Sequence, residues 1–317
     1  MATEDYVPVA ADDWYQRRRE DAEGKFFRDV ANQGPRKGEG GGTRQGIYCF
    51  TADGNLLAYK NAGQAPDVMR DTLRQGLREW KKLAEERRKP GAVKVDDLGK
   101  SDARYTRTPP PGGLVVNVFT RILDRNKGEF CKGTCKTPGG DKAARDHLWL
   151  TETEWKAMVP ADPKKGDKAA LPVTVSERIV RFHLTDNTRG EPPMWRREDI
   201  RSQEFTLTVE EVTAGTVRFR LDGSALLATH ADVMKAERGF DVQLLGTIQY
   251  DRAKKTIERF SLVAVGDHWG QGPFTGGARP GRQPLGVAFE LANGKSAADL
   301  VPPQAAREID AYLGRNR

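Results

Sequence analysis

Between residues 204 and 221 apolar and polar positions alternate. Phe205, Leu207 and Val209 fall on one side and Thr206 and Thr208 on the other; after a short break Val217, Phe219 and Leu221 oppose Arg218 and Arg220. A period of two with one apolar face predicts half-buried antiparallel strands. Similar runs predict strands over 114–119, 173–184, 204–212, 216–221, 242–250, 256–265 and 285–291, with Ala214-Gly215 and the stretch Asp251-Arg252-Ala253-Lys254 as hairpin connections. A series of strands at such short spacing predicts a barrel or a sandwich. Two helices accompany it: Thr151 and Glu154 form a capping box ahead of Trp155 and Met158, and Pro302-Pro303 opens a final helix carrying Ala306, Ile309 and Leu313.

The N-terminal third follows another pattern. Two short apolar runs, Ile47 to Phe50 and Leu56 to Tyr59, hinge on Asp53-Gly54, a pair suited to the positive φ of a hairpin turn. Pro66 then opens a helix in which Met69, Leu73, Leu77 and Trp80 recur at helical spacing, so one face of it is expected to be buried. Upstream, Tyr6 to Ala10 predicts a short strand, and Asp12 or Asp13 caps a helix carrying Trp14, Phe26, Phe27 and Val30, made imperfect by Gly24. The glycine-rich stretch 34–42 predicts a loop.

This order, strand-helix and then hairpin-helix, resembles the minimal thioredoxin-like core over about residues 5–85. The pattern that carries the resemblance is Gly46-Ile47-Tyr48-Cys49-Phe50, Asp53-Gly54, Leu56-Leu57-Ala58, Gly63 and the helix that follows. Where that family carries Trp-Cys-x-x-Cys, this chain has Trp14-Tyr15-Gln16-Arg17-Arg18, and Arg44-Gln45-Gly46 stand where the family has its cis-proline. Thiol–disulfide exchange needs an attacking thiolate and a second sulfur, so the domain is expected to be non-redox. The fold class expected is therefore α+β: a degenerate thioredoxin-like domain over 1–88, a linker over 89–113 ending in the proline-rich run from Thr108 to Gly113, and a β-rich barrel or sandwich domain over 114–317 with peripheral helices.

A length of 317 residues suits two domains. The net charge of +7 comes from 52 basic and 45 acidic residues mixed along the chain. The clusters Arg17-Arg18-Arg19, Arg87-Arg88-Lys89 and Lys164-Lys165 lack the interleaved aromatics of a single-strand groove, so nucleic acid is not an expected partner. No run approaches the roughly 20 apolar residues of a membrane span. The first residues lack the basic start and apolar stretch of a secretory signal, which predicts either a cytoplasmic protein or a mature exported form whose leader is absent. Three cysteines rule out a disulfide-dense scaffold.

The chemistry-bearing residues are few. Cys131 and Cys135 sit among lysines, which favour thiolate, and are candidates for a redox pair or a soft-metal clamp. His147 follows in the order Cys-x3-Cys-x11-His, with no fourth ligand of a structural zinc site evident. Cys49, inside the hairpin, is expected to act as a small hydrophobe. His183, His230 and His268 all fall on or beside predicted strands and are candidate ligands for a transition metal, copper, zinc or iron, should the sheet bring them together. Strand parity places His268 on the face of Phe260, Leu262 and Ala264 and turns Asp267 away from it. Asp267 and Trp269 would edge such a pocket, and the turn-rich stretch from His183 to Trp195 supplies Asp186, Arg189, Glu191 and Trp195 as candidate ligand-binding residues. A P-loop is excluded because Phe289 stands where the leading glycine before Gly294-Lys295-Ser296 must be, and Ser224 lacks the second glycine of a nucleophile elbow. The function expected is that of a binding or scaffold protein with a small molecule, metal or protein as partner. The alternatives are a metal-dependent oxidoreductase using the histidine pocket and a thiol-redox protein using Cys131 and Cys135.

Overall fold

Short carboxylate side chains set the first helix starts. Asp12 accepts a hydrogen bond from the Trp14 N–H and begins the single turn α1 (Asp13–Gln16); the chain then breaks, and Asp21, accepting from Gly24 N–H, caps α2 (Ala22–Asn32). The computed structural model describes residues 1–37, 42–61, 65–94, 98–124 and 143–315, in two compact units, Met1–Arg107 and Thr108–Arg317. Cys131 and Cys135, the candidate redox pair, lie outside the described residues.

In the first unit β1 (Ile47–Phe50) and β2 (Leu56–Lys60) pair antiparallel, and Gly54 takes the positive φ that the turn requires. α3 (Pro66–Lys82) and the single turn α4 (Glu85–Arg88) follow. The buried face of α3 centres on Thr72 and Gly76, with Leu73, Leu77 and Trp80 half-buried and Met69 exposed. Gly76 decides this: a Cβ there would stand 2.5 Å from the Tyr6 hydroxyl and 2.7 Å from Cys49 Cβ, so the helix seats its smallest residue against the hairpin. Residues 6–10 form no strand, contrary to the sequence expectation; Pro8 has no amide to donate, and Val7 and Val9 are exposed. Part of the expected linker belongs to this unit, since Asp102 accepts from Glu20 N–H and its own amide donates to Asp21.

The second unit is built on one eight-stranded antiparallel sheet. Its elements are β3 (Leu114–Ile122), β4 (Ala144–Leu150), α5 (Glu152–Ala157), β5 (Lys168–Ala170), α6 (Val173–Arg178), β6 (Ile200–Val212), β7 (Thr216–Ala228), β8 (Gly239–Asp251), β9 (Thr256–Trp269), β10 (Gln283–Leu291) and α7 (Ile309–Tyr312). The spatial order is β4-β3-β10-β9-β8-β7-β6-β5. The edges β4 and β5 do not pair, so the sheet is open rather than the expected barrel, and the described residues of this unit form no second sheet to make a sandwich. A three-residue β5 is too short to close a ring, and the apolar face is covered by a helix instead.

That helix lies in a segment expected to be a strand. Residues 173–183 form α6 and a π-helical turn, Ile179–His183, that continues it. Val175, Ile179, Val180, Leu184 and Trp195 share one buried cluster with Phe205, Phe219, Phe240, Phe260 and Phe289 of the strands. Val175 and Ile179 are four apart, the spacing of one helical face, and burial of that face outweighs the β preference of Val and Ile. The capping box at Thr151 and Glu154 forms as expected, and α7 is preceded by a 3-10 segment, Gln304–Glu308.

Candidate functional site

The register at one end of the sheet gathers polar residues on the core-facing side. Phe240 pairs with both Leu227 and His268, and His268 pairs in turn with Gln283, so β7 to β10 contribute one row. β9 ends at Gly270, where φ is +79° and a Cβ would stand 1.9 Å from the Glu237 carbonyl oxygen; only glycine lets the chain turn this close to the start of β8.

The loop leaving the π-helical turn meets this row. Asp186 accepts from the Thr188 N–H at 3.0 Å, the Thr188 hydroxyl at 2.7 Å and Arg189 Nε at 2.7 Å. Arg189 also donates to the carbonyls of Gly270 and Thr275, tying its loop to the one after β9. Burial alone would lift the Asp186 carboxyl above its ordinary range; the bonds from Thr188 and Arg189 more than reverse this and keep it ionised. Asp186, Arg189, His268, Trp269, Arg279 and Gln283 line a cavity of about 10 Å³, room for roughly one water.

His268 is the unusual member. It is 9 % exposed and lines the cavity, yet among the described residues neither ring nitrogen makes a hydrogen bond. Burial holds its pKa down to about 4, helped by Arg189, Arg238 and Arg279 and opposed by Asp186. At neutral pH the ring is therefore uncharged and borders the cavity beside a carboxylate–guanidinium pair.

The other two candidate histidines stand elsewhere, which corrects the expectation of one metal pocket. The buried His183 sits near the other end of β10, its ring centre 6.4 Å from that of Phe289, six residues along the strand from Gln283. Its Nε2 is 3.0 Å from the Tyr312 hydroxyl, and Asp146 lies 3.3 Å from Nδ1, outside hydrogen-bond geometry. His230 is exposed in the β7–β8 connection, where Nδ1 accepts from Asp232 N–H. Among the described residues no three His, Cys, Asp or Glu side chains form a group that could hold a metal ion. The physical reason is topological: the π-helical turn, a surface connection and the end of β9 are three separate places in the fold.

The remaining expected ligand-binding residues divide. Trp269 borders the cavity, donates to the Ala236 carbonyl and lies under Arg282 at 4.2 Å. Trp195 is core, its indole donating to the Leu184 carbonyl. Glu191 pairs with Arg307 instead. Asp267 is turned away from His268, as parity requires, and pairs in register with Asp241 and Pro284. Cys49 is buried, with Sγ 3.9 Å from the Thr72 carbonyl and its pKa raised by burial, as suits a packing residue.

Sequence reasoning passed over Arg238, Arg279 and Gln283. Arg238 carried a signal: it shares the parity of Phe240, Val242 and Leu244, so an arginine opens an otherwise apolar face. Also missed was the buried hydrogen-bond network beside His183, which leaves the His183 Nδ1 without a partner. Arg178 makes two bonds to Glu154, at 2.6 and 2.7 Å, and donates to the carbonyls of Trp149 and Tyr312.

Compared with known proteins, the chain matches no family model, no curated protein and no solved structure. What its own geometry defines is an α+β protein with an open eight-stranded antiparallel sheet and a small polar cavity at one end of it.

Proposed function

We propose that this chain is a non-redox binding protein, with a degenerate thioredoxin-like first unit and a second unit that receives a small polar ligand at the His268 cavity. The observation that carries the reading is a nine-tenths buried, uncharged histidine that lines a cavity and has no hydrogen bond of its own. The ring has no hydrogen-bond partner of its own within the protein, and a ligand that brings a donor to the cavity would supply one. Asp186 is committed to Thr188 and Arg189, so its carboxylate shapes the cavity and His268 does the accepting. For the first unit, the support is the β1–β2 hairpin with α3 seated on it through Gly76, and the absence of thiols from α1, where Trp14 to Arg18 replace the redox motif.

The test is a screen of small polar compounds against isotopically labelled protein, read at the His268 ring and the Trp269 indole N–H. Compounds that bind should shift both signals in the wild type and neither Trp269 nor the thermal midpoint in His268→Phe. A screen in which no compound shifts His268, or in which hits persist unchanged in His268→Phe, overturns the reading.

A further inference from the structure

The two edges of the eight-stranded sheet are finished differently. At β4 the chain closes its own edge: the Trp149 amide donates to the Tyr312 hydroxyl and Asp146 accepts from the Gln304 amide, both partners coming from the C-terminal segment. β5 has no such cover among the described residues. The Asp167 carbonyl accepts from Val209 N–H and Leu171 N–H donates to the Phe205 carbonyl, and Ala169, in register with Leu207 between them, turns the same way. Lys168 and Ala170 therefore aim their N–H and C=O groups away from β6, where they meet no hydrogen-bonding group among the described residues. All three residues of β5 are exposed, and a groove of about 480 Å³ bordered by Lys168, Ala170, Val173, Glu204 and Thr206 lies beside them.

The charged side chains of this edge are unmatched as well. Elsewhere on β6 and β7, Arg218 pairs with Glu210 and Glu211, and Arg220 with Asp222. Lys168 and Glu204, both exposed, form no ion pair among the described residues. They share one face of the sheet: Lys168 is in register with Thr208 and Ala170 with Thr206, and Glu204 is two residues further along β6, all of them opposite in parity to the core residues Phe205 and Leu207.

We propose that β5 is a dimerisation edge, at which two copies of this chain pair β5 with β5 antiparallel about a two-fold axis through Ala169, and Lys168 of each copy meets the partner's Glu204. The axis fixes the register. Lys168 stands opposite the partner's Ala170, and the two exchange N–H···O=C bonds, so every outward group of both strands is paired. Lys168 then passes over an alanine methyl toward the partner's Glu204, about 12 Å away between Cα atoms, two strand spacings across and two residues along, which a lysine and a glutamate side chain together can span. The two Lys168 side chains lean in opposite directions along the strands, so like charges do not meet. A lysine on an edge ordinarily keeps other strands away; one whose countercharge comes only with the second copy selects this pairing over others. Growth stops at two, because the outer edge of each copy is the covered β4.

Pairing over three residues buries little surface, so the dimer is weak, and sedimentation equilibrium of the full chain is carried up to about 1 mM. A reversible monomer–dimer equilibrium is expected, with amide hydrogen exchange at Lys168 and Ala170 slowing as the protein concentration rises. Ala170→Pro removes an outward N–H that the monomer does not use and should weaken the dimer about tenfold or more. Glu204→Lys should weaken it by a similar factor, and adding Lys168→Glu to it, which exchanges the two charges, should bring the affinity back to within about threefold of the wild type. The charge variants, both on exposed side chains, carry the test should Ala170→Pro fail to fold. A chain that stays monomeric throughout overturns the proposal, as does a dimer that neither Ala170→Pro nor Glu204→Lys weakens, since its contact then lies elsewhere. A charge exchange no tighter than Glu204→Lys alone overturns the assigned register. Slow exchange at both amides in the dilute monomer overturns it too, because the cover of the edge then belongs to the same chain.

Discussion

Two histidines of the second unit, His183 and His268, are both at least nine-tenths buried, and they could hardly be treated more differently. The His183 ring meets a tyrosine hydroxyl and stands beside a carboxylate, in a network that continues through Trp149 and Tyr312 to Arg178 and Glu154. His268 meets a phenylalanine ring, 5.8 Å between centres, and a small cavity. Burial alone therefore does not separate a structural histidine from a functional one. What separates them is that the His183 Nε2 meets the Tyr312 hydroxyl, although its Nδ1 has no hydrogen bond, whereas neither nitrogen of His268 meets a hydrogen-bonding group among the described residues.

The largest effect should come from breaking the buried ion pair of the Arg178 network. Glu154 would have its carboxyl lifted by burial, but the Arg178 hydrogen bonds hold it below its ordinary value. Glu154→Gln leaves Arg178, 1 % exposed, without its countercharge, and loss of one partner of a buried pair costs about 3–5 kcal/mol. Urea unfolding at pH 7 should show this as a lowered midpoint with little change in slope. A loss below about 1 kcal/mol would mean that the network is not what holds α5 and α6 together.

The next effect is a pH dependence. Folding lowers the His268 pKa from 6.5 to about 4, so between those values the unfolded chain binds a proton that the folded chain refuses. Stability should then be fully present above about pH 6.5 and fall as the pH drops toward 4, by on the order of 3 kcal/mol. His147, whose pKa is also lowered by burial, titrates in the same direction. The difference between wild type and His268→Phe across this window isolates the His268 share, and parallel curves would refute it. A smaller loss, about 2 kcal/mol at neutral pH, is expected for Tyr312→Phe, which strips the buried His183 Nε2 and Trp149 N–H of their common partner. An unaltered unfolding midpoint in that variant would show that water reaches the network and satisfies both groups.

Much of the sheet was readable because alternation is a local property. Phe205 to Val209, Val217 to Leu221 and the parity of His268 all follow from period two, and the cavity brings together Asp186, Arg189, His268 and Trp269, all four singled out by loop chemistry or parity. The failures are non-local. Val173 to Leu184 reads as a strand from its β-branched residues, and only the uncovered face of the sheet explains why it coils into a helix. β4 was missed because Arg145, Asp146 and His147 interrupt its apolar run; Asp146 fits there because His183 and the Gln304 amide come to it from distant parts of the chain. Closure into a barrel depends on whether β4 meets β5, which neither strand's residues encode.

The smallest expected stability change completes the contrast between the two rings. His268→Phe at pH 7 removes no hydrogen bond within the protein, and it keeps an aromatic ring of similar shape against Phe240 and beside Ile122 and Leu285, which line the same cavity. The change in unfolding free energy should lie within about 0.5 kcal/mol of zero, because no hydrogen bond within the protein is lost and a ring of similar shape keeps the packing. The same substitution at His183 breaks the contact to Tyr312 and should cost about 1–2 kcal/mol more. Paired urea titrations of the two variants measure the difference directly. A cost at His268 equal to that at His183 would mean that His268 already has a polar partner inside the folded protein, and the distinction between a ring bonded to Tyr312 and one bonded to nothing in the protein would be lost.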